Sequence, residues 1–237
     1  MRLVPQRSRQ SEWMDRADNR PDDLAGALRD IGLTNRWLGG RDAVLSAIEP
    51  HLTASSGTLE ILDVGTGGGD IPLAIADRAK RLGREARVVG LDVDPVTLSI
   101  AARAAGTSAG VRLLCGDAQR LPFGDRSFDL VIASMFLHHF DHESIVHMLG
   151  RFRRIARRAV VINDLRRHRV PWAFISIVSR LTARHPMYVH DAPLSVLRGF
   201  TPDELERAAR ESGAGEIVLR RRWPYRLLLT MAAETAR

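Results

Sequence analysis

The chain has 237 residues, 45% hydrophobic and 27% charged, enough for one sizeable core or a core with a small cap. A single cysteine, Cys115, excludes an internal disulfide and a thiolate metal cluster, and no run of about 18 apolar residues offers a membrane-crossing helix. The net charge of +7 rests on arginine, since Lys80 is the only lysine, and the arginine clusters at 151–158, 166–169 and 220–222 lack the interleaved aromatics of a base-stacking surface.

Residues 1–18 are polar, with no apolar stretch of a secretory leader, and are expected to be loosely ordered in a cytoplasmic protein. Leu24, Leu28, Ile31 and Leu33, then Trp37, Leu38, Val44, Leu45 and Ile48, recur at helical spacing and predict helices over 22–50, broken at Gly39-Gly40. Residues 1–50 therefore form a helical N-terminal part, and 51–237 the main domain. Leu59, Ile61, Leu62 and Val64 predict a strand ending in Asp63-Val64, followed by Gly65-Thr66-Gly67-Gly68-Gly69 and a helix over 70–82. Strand, glycine turn and helix make the nucleotide-binding corner of a doubly wound sheet. In a dinucleotide fingerprint the third small position would fall on Asp70, whose charge repels a pyrophosphate and disfavours an NAD(P)-dependent oxidoreductase. Asp63, two residues before Gly65, suits a cationic or amino-bearing ligand instead.

A second strand over 86–91 runs into Asp92 and Val93, where a carboxylate is placed for ribose hydroxyls. A helix over 95–105 leads to a third strand, 111–115, which ends in Gly116-Asp117-Ala118 and is expected to hold Cys115 as a structural apolar residue. A fourth strand over 128–134 ends at Ser134. Asp141 is placed to cap a helix over 142–157, and a strand over 159–163 follows. Thr201-Pro202-Asp203-Glu204 is a capping box that starts a helix ending at Gly213, and 216–220 and 226–232 read as a final strand pair around Trp223-Pro224. The alternation predicts an α/β fold with a doubly wound, mostly parallel sheet.

In this order the four motifs over 59–140 resemble those of class I S-adenosylmethionine-dependent methyltransferases. The resemblance implies a Rossmann-like, seven-stranded sheet with a late antiparallel strand, a helical lid over 1–50, S-adenosylmethionine as cofactor and S-adenosylhomocysteine as product. It assigns cofactor contacts to Asp63, Gly65, Thr66, Gly67, Gly69, Asp92, Val93, Asp117, Ala118 and Ser134, with Asp117 at the adenine amino group. The segments Asn163-Asp164-Leu165-Arg166-Arg167, His190-Asp191-Ala192-Pro193 and Arg221-Arg222-Trp223-Pro224 are further similar to methyltransferases found beside type III polyketide synthases, a setting of secondary metabolism. Those act on phenolic or quinone-like lipids. The function so implied is methyl transfer to a small aromatic or phenolic acceptor at oxygen. The alternatives are a quinone-type C-methyltransferase, an RNA methyltransferase using the arginines, and a binding protein without turnover. Against RNA, the segment after strand 4 reads Ser134-Met135-Phe136-Leu137 and lacks the Asn/Asp-Pro-Pro-Tyr/Phe motif of amino-methylating enzymes.

Residues 166–200 do not belong to the minimal fold. Inserted after a strand's carboxyl end, they would roof the acceptor site, with Trp172, Phe174 and Tyr188, together with Met135, as acceptor contacts. A plain helix pair and a surface for peripheral membrane contact are the other readings of this segment. His138, His139, His190 and Asp164 are the candidates for a base. No metal is expected, because Met135 and Phe136 stand where metal-using relatives carry an acid.

Overall fold

The computed structural model describes residues 5–16, 18–106, 108 and 110–234. Helices α1 (Pro21–Trp37) and α2 (Gly40–Ala54) precede β1 (Leu59–Val64), α3 (Asp70–Arg81), β2 (Ala86–Asp92), α4 (Pro95–Ala105), β3 (Val111–Cys115), β4 (Phe128–Ser134), α5 (His142–Ile155) and β5 (Ala156–Leu165). Then come α6 (Arg169–Thr182), α7 (Pro186–Arg198), α8 (Pro202–Glu211), β6 (Ile217–Arg222) and β7 (Arg226–Ala232). The seven strands lie in the order β3-β2-β1-β4-β5-β7-β6. The first five are parallel, and β7 is antiparallel to both neighbours. The expected α/β Rossmann-like fold is thus present.

Strand alternation explains the two core layers. Leu59, Ile61, Leu130, Ile132, Ala159 and Val161 face α2 and α3, whose Val44, Ile48, Leu52, Ile71 and Ile75 cover them. Leu62, Val64, Val131, Ala133, Val160 and Ile162 face the other way, onto Ile145, Met148, Leu149 and Phe152 of α5 and Leu205 and Ala208 of α8. Each fully buried aliphatic side chain contributes roughly 1.5–3 kcal/mol relative to exposure.

The expected caps form: Asp141 Oδ1 accepts the Ser144 N–H at 2.8 Å, and Thr201 and Glu204 make the reciprocal capping box. Element ends move by a few residues, β5 beginning at Ala156 and reaching Leu165, where β7 pairs with it. Cys115 is not a core residue: it is exposed on the edge strand β3. The helical part over 1–50 divides. α2 belongs to the cover of the sheet, while Leu24 and Ala27 of α1 pack on Met187 of α7.

The N-terminal residues depart most from expectation. Residues 1–4 and 17 lie outside the described set, but 5–16 form an ordered strap on α7 rather than a loose tail. Asp191 accepts the N–H groups of Trp13 and Met14 at 2.8 and 3.0 Å, and Leu197 O accepts that of Ser8 at 3.0 Å. Arg198 donates to Gln10 O and to Asp15 Oδ2. Such a segment has no periodicity to read, because its order comes from side chains far away in sequence.

Candidate active site

The strand order reverses between β1 and β4, and the crevice beyond their carboxyl ends is where a doubly wound sheet places its ligands. A cavity of about 790 Å³ opens there. Its walls come from Asp63, Gly65 and Thr66 after β1, Ser134, Met135, His138 and His139 after β4, and Leu28, Ile31 and Asn35 of α1. Phe174, Ile175 and Tyr188 of the 166–200 segment, Glu12 of the strap and Arg226 at the head of β7 complete it.

The glycine loop is shaped by its backbone. Gly65 and Gly67 have φ of 71° and 54°, where a side chain is strained, and a Cβ on Gly65 would lie 2.1 Å from the Phe136 ring. A Cβ on Gly67 would meet only Leu28, at 3.6 Å, so that part of the cradle is left open on the ligand side. Asp92 Oδ2 accepts the Gly67 N–H at 2.9 Å and Oδ1 that of Asp94 at 3.1 Å, tying β2 to the loop. Asp63 is buried and accepts the Thr66 hydroxyl at 2.8 Å. Burial pushes its carboxyl up to about 7, and neighbouring Asp70 and Asp92, themselves raised by burial, add to the rise. Three crowded carboxylates lining or flanking one cavity fit a ligand bearing a sulfonium and an ammonium group, and fit a pyrophosphate poorly. Val93 and Asp117 are exposed beside the loop, where Asp117 caps the short turn that begins with buried Ala118.

The other candidates separate clearly. His138 is buried with its Nδ1 2.7 Å from Asp164 Oδ1. Burial works to raise Asp164, but the His138 ring beside it and the backbone N–H of Leu165 hold its carboxyl below the ordinary range. With Nδ1 held by Asp164, Nε2 is the ring nitrogen left for other partners, and Glu12 Oε1 lies 3.7 Å from it. His139 also lines the cavity and pairs with Asp15 at 3.0 Å. His190 does not: it stacks on Trp13 at 4.0 Å and bonds Asp191, so it supports the strap. Phe174, Tyr188 and Met135 line the cavity, whereas Trp172 is absent from its wall, half a turn of α6 away from Phe174. Met135 has φ 57°, a strained conformation at the turn after β4.

Two lining residues went unread in the sequence. Glu12 is buried, 3.7 Å from His138 Nε2 through Oε1, and burial pushes its carboxyl up to about 7 although Arg198 and the Ser195 hydroxyl oppose this. Nothing in a polar tail marks it. Arg226 is also buried. It donates to Leu38 O at 3.0 Å, Asn35 Oδ1 at 3.2 Å and Met135 Sδ at 3.0 Å, and burial lowers it to about 10. An arginine heading the apolar run Leu227-Leu228-Leu229 was the only signal. Glu12, His138 and His139 converge within 4.8 Å, a spacing suited to a cation's ligands, but the Arg198 guanidinium 3.8 Å from Glu12 already supplies the positive charge there.

Of the arginine clusters, only Arg222 of the 220–222 group lines the cavity. Arg157 and Arg158 pair with Asp129 and Arg151 with Asp125, at the amino ends of β4 and β5, opposite the crevice. Arg167 is buried against Glu204 at 2.6 Å.

Residues 61–159 match the family described as "Methyltransferase domain". A demethylmenaquinone methyltransferase of Thermus thermophilus is 38% identical over 142 residues, covering 59% of each chain. A ubiquinone/menaquinone biosynthesis C-methyltransferase of Rickettsia prowazekii is 32% identical over 110 residues, 45% of this chain and 41% of that one. The matches thus span about half the length of these curated relatives. In fold, human N-acetylserotonin methyltransferase in complex with S-adenosylmethionine superposes with a TM-score of 0.66 at 13% identity, over 91% of this chain and 57% of that one. No described helix is long and apolar enough to cross a membrane. Topology, glycine loop and family match agree: residues 61–159 are similar to a methyltransferase domain, on the fold of a methyltransferase solved with S-adenosylmethionine.

Proposed function

We propose that this protein methylates a ring carbon of a small, apolar quinol-type acceptor. The observation that carries the reading is the buried His138–Asp164 pair, facing an apolar cavity that also contains the residues of the glycine loop. The sequence alone favoured oxygen as the methylated atom. The activities named for the curated relatives, demethylmenaquinone and ubiquinone/menaquinone methyltransferases, support carbon instead.

Asp63, Gly65, Thr66, Gly67, Gly69, Asp92, Val93, Asp117, Ala118 and Ser134 would hold the cofactor, which when bound supplies a methyl group activated on a sulfonium. The chain's own residues handle position and protons. The cavity walls, Phe174, Tyr188, Met135 and Leu28 among them, hold an aromatic ring and exclude water. His138 Nε2 takes the proton of an acceptor hydroxyl, and the Asp164 carboxylate stabilises the resulting imidazolium. The loss of that proton puts electron density on the neighbouring ring carbon. After methylation the ring carbon loses its proton while the acceptor oxygen regains one, so one proton is released overall, and Glu12, beside Nε2, is the group to which His138 can pass it. Arg226, paired through its backbone with Leu165 next to Asp164, also lines the cavity, where an acceptor oxygen would find a cation. Residues 5–37 and 166–200 close the cavity as strap and roof.

The test is incubation of the purified protein with methyl-deuterated cofactor and a short-chain 1,4-naphthoquinol, followed by NMR of the product. A deuterated methyl on ring carbon is expected. A deuterated methoxyl group would restore oxygen as the target, and no product would remove the quinol as acceptor.

A further inference from the structure

Helix α6 carries an apolar stripe that is left exposed among the described residues. Val170, Phe174, Ile177 and Leu181 recur three or four residues apart, on one face, and are 51%, 50%, 61% and 78% exposed. The packed side of α6, marked by Ile175 and Ser179, faces away from this stripe and toward α7. A soluble surface rarely leaves four large aliphatic and aromatic side chains in a row.

The stripe leads into the mouth of the cavity. Val170 and Phe174 belong to both, exposed on one side and lining the cavity on the other. Two further exposed residues of the cavity wall, Trp37 at 77% and Trp223 at 85%, come from the end of α1 and the β6–β7 turn. Tryptophan is the side chain that settles at the boundary between headgroups and acyl chains. The charge of the surrounding segment has one sign. Between Asp164 and Asp191 there is no acidic residue, and Arg166, Arg169, Arg180 and Arg184 flank the stripe on both sides, the last two exposed.

We propose that this face docks the protein on a lipid bilayer carrying anionic headgroups, with Ile177, Leu181 and Phe174 entering the acyl boundary and the arginines meeting phosphates. The mouth of the cavity then opens against the bilayer, so that an acceptor with an alkyl chain passes from membrane to active site without crossing water. The proposal rests on the reading of the acceptor as lipid-like. A second copy of the chain fits the face less well, because two such arginine-flanked stripes would bring like charges together.

The experiment is co-sedimentation of the full chain with vesicles of phosphatidylcholine, with and without phosphatidylglycerol. The parent should pellet with the anionic vesicles and be released by salt. The double variant Ile177→Gln/Leu181→Gln, at positions outside the cavity wall, should bind these vesicles at least about tenfold more weakly. Its circular dichroism and its methylation of a water-soluble short-chain quinol should match the parent. Equal vesicle binding by parent and variant, or no binding by either, overturns the proposal. So does a parent dimer in light scattering that the variant loses without any vesicle binding, which would make the stripe an interface between copies. The soluble-quinol assay separates the two readings. If it fails while vesicle binding follows the stripe, the acceptor is wrong and the surface stands. If it succeeds while vesicle binding is absent, the surface is wrong and the acceptor stands.

Discussion

Glu12 and Asp63 carry the same perturbation: burial at the cavity wall pushes each carboxyl up to about 7, for Glu12 in spite of the Arg198 guanidinium 3.8 Å away. The consequence for stability has a definite sign. A carboxyl raised in the folded state holds its proton where the unfolded chain releases it, so its contribution is complete below about pH 4.5 and is lost as pH rises to about 7. Glu12→Gln cannot lose a proton. The variant should therefore gain stability over the parent as pH rises from about 5 to 7, by at most about 1.4 kcal/mol per pH unit. Thermal melts at several pH values measure this, and a pH-independent difference would contradict it. For Asp63 the readout is binding. If its ionised form pairs with the cationic cofactor as proposed, cofactor affinity should rise as pH passes about 7, and Asp63→Asn should flatten that rise in calorimetric titrations. If His138 is the base proposed above, His138→Ala should lower turnover by about 100-fold or more while leaving cofactor affinity in place. Equal turnover in parent and variant would mean that positioning alone carries the chemistry.

Among the elements, the strap and α7 behave as one unit. Asp191 holds two strap N–H groups, Arg198 spans the strap and the carbonyls of His138 and His139, and Ser195 donates to Glu12 at 2.9 Å. Position of the histidine pair is thus tied to a segment that sequence patterning leaves blank. Asp191→Ala removes both charge-assisted acceptors, each worth roughly 1.5–3 kcal/mol, and should free residues 5–16 before the sheet unfolds. Limited proteolysis should then cut within the strap while the core resists, and turnover should fall. Resistance equal to the parent's would show that the strap is held by other contacts. The same contacts explain why His190 reads as a base in the sequence and as a strap support in the fold: its partner Trp13 lies far away along the chain.

The whole molecule joins a conventional sheet to an unconventional cover. Because the cavity exists only in the folded chain, a ligand of the glycine loop stabilises it by mass action. S-adenosylhomocysteine at about 100 times its dissociation constant should add about 2.7 kcal/mol, visible as a higher melting temperature, whereas NADH should add none. Stabilisation by NADH alone would overturn the reading of Asp70 as a bar to pyrophosphate.

The sheet, the glycine corner and the helix starts at Asp141 and Thr201 were legible in the sequence because each depends on neighbours along the chain: alternation for strands, a reverse turn for glycines, a capping side chain two or three residues from its N–H. Those short-range signals determined the fold and the cofactor loop. The cover of the cavity is different in kind. Glu12, Arg226 and the His138–Asp164 pair meet across long stretches of sequence: the pairing of β4, β5 and β7 gathers His138, Asp164 and Arg226, and the strap packed on α7 adds Glu12. Exposure likewise belongs to the tertiary structure. The apolar residues of α6 read as a roof over the acceptor, and the fold turns Phe174 toward the cavity mouth but Ile177 and Leu181 to the outside, because α6 spends its packed face on α7.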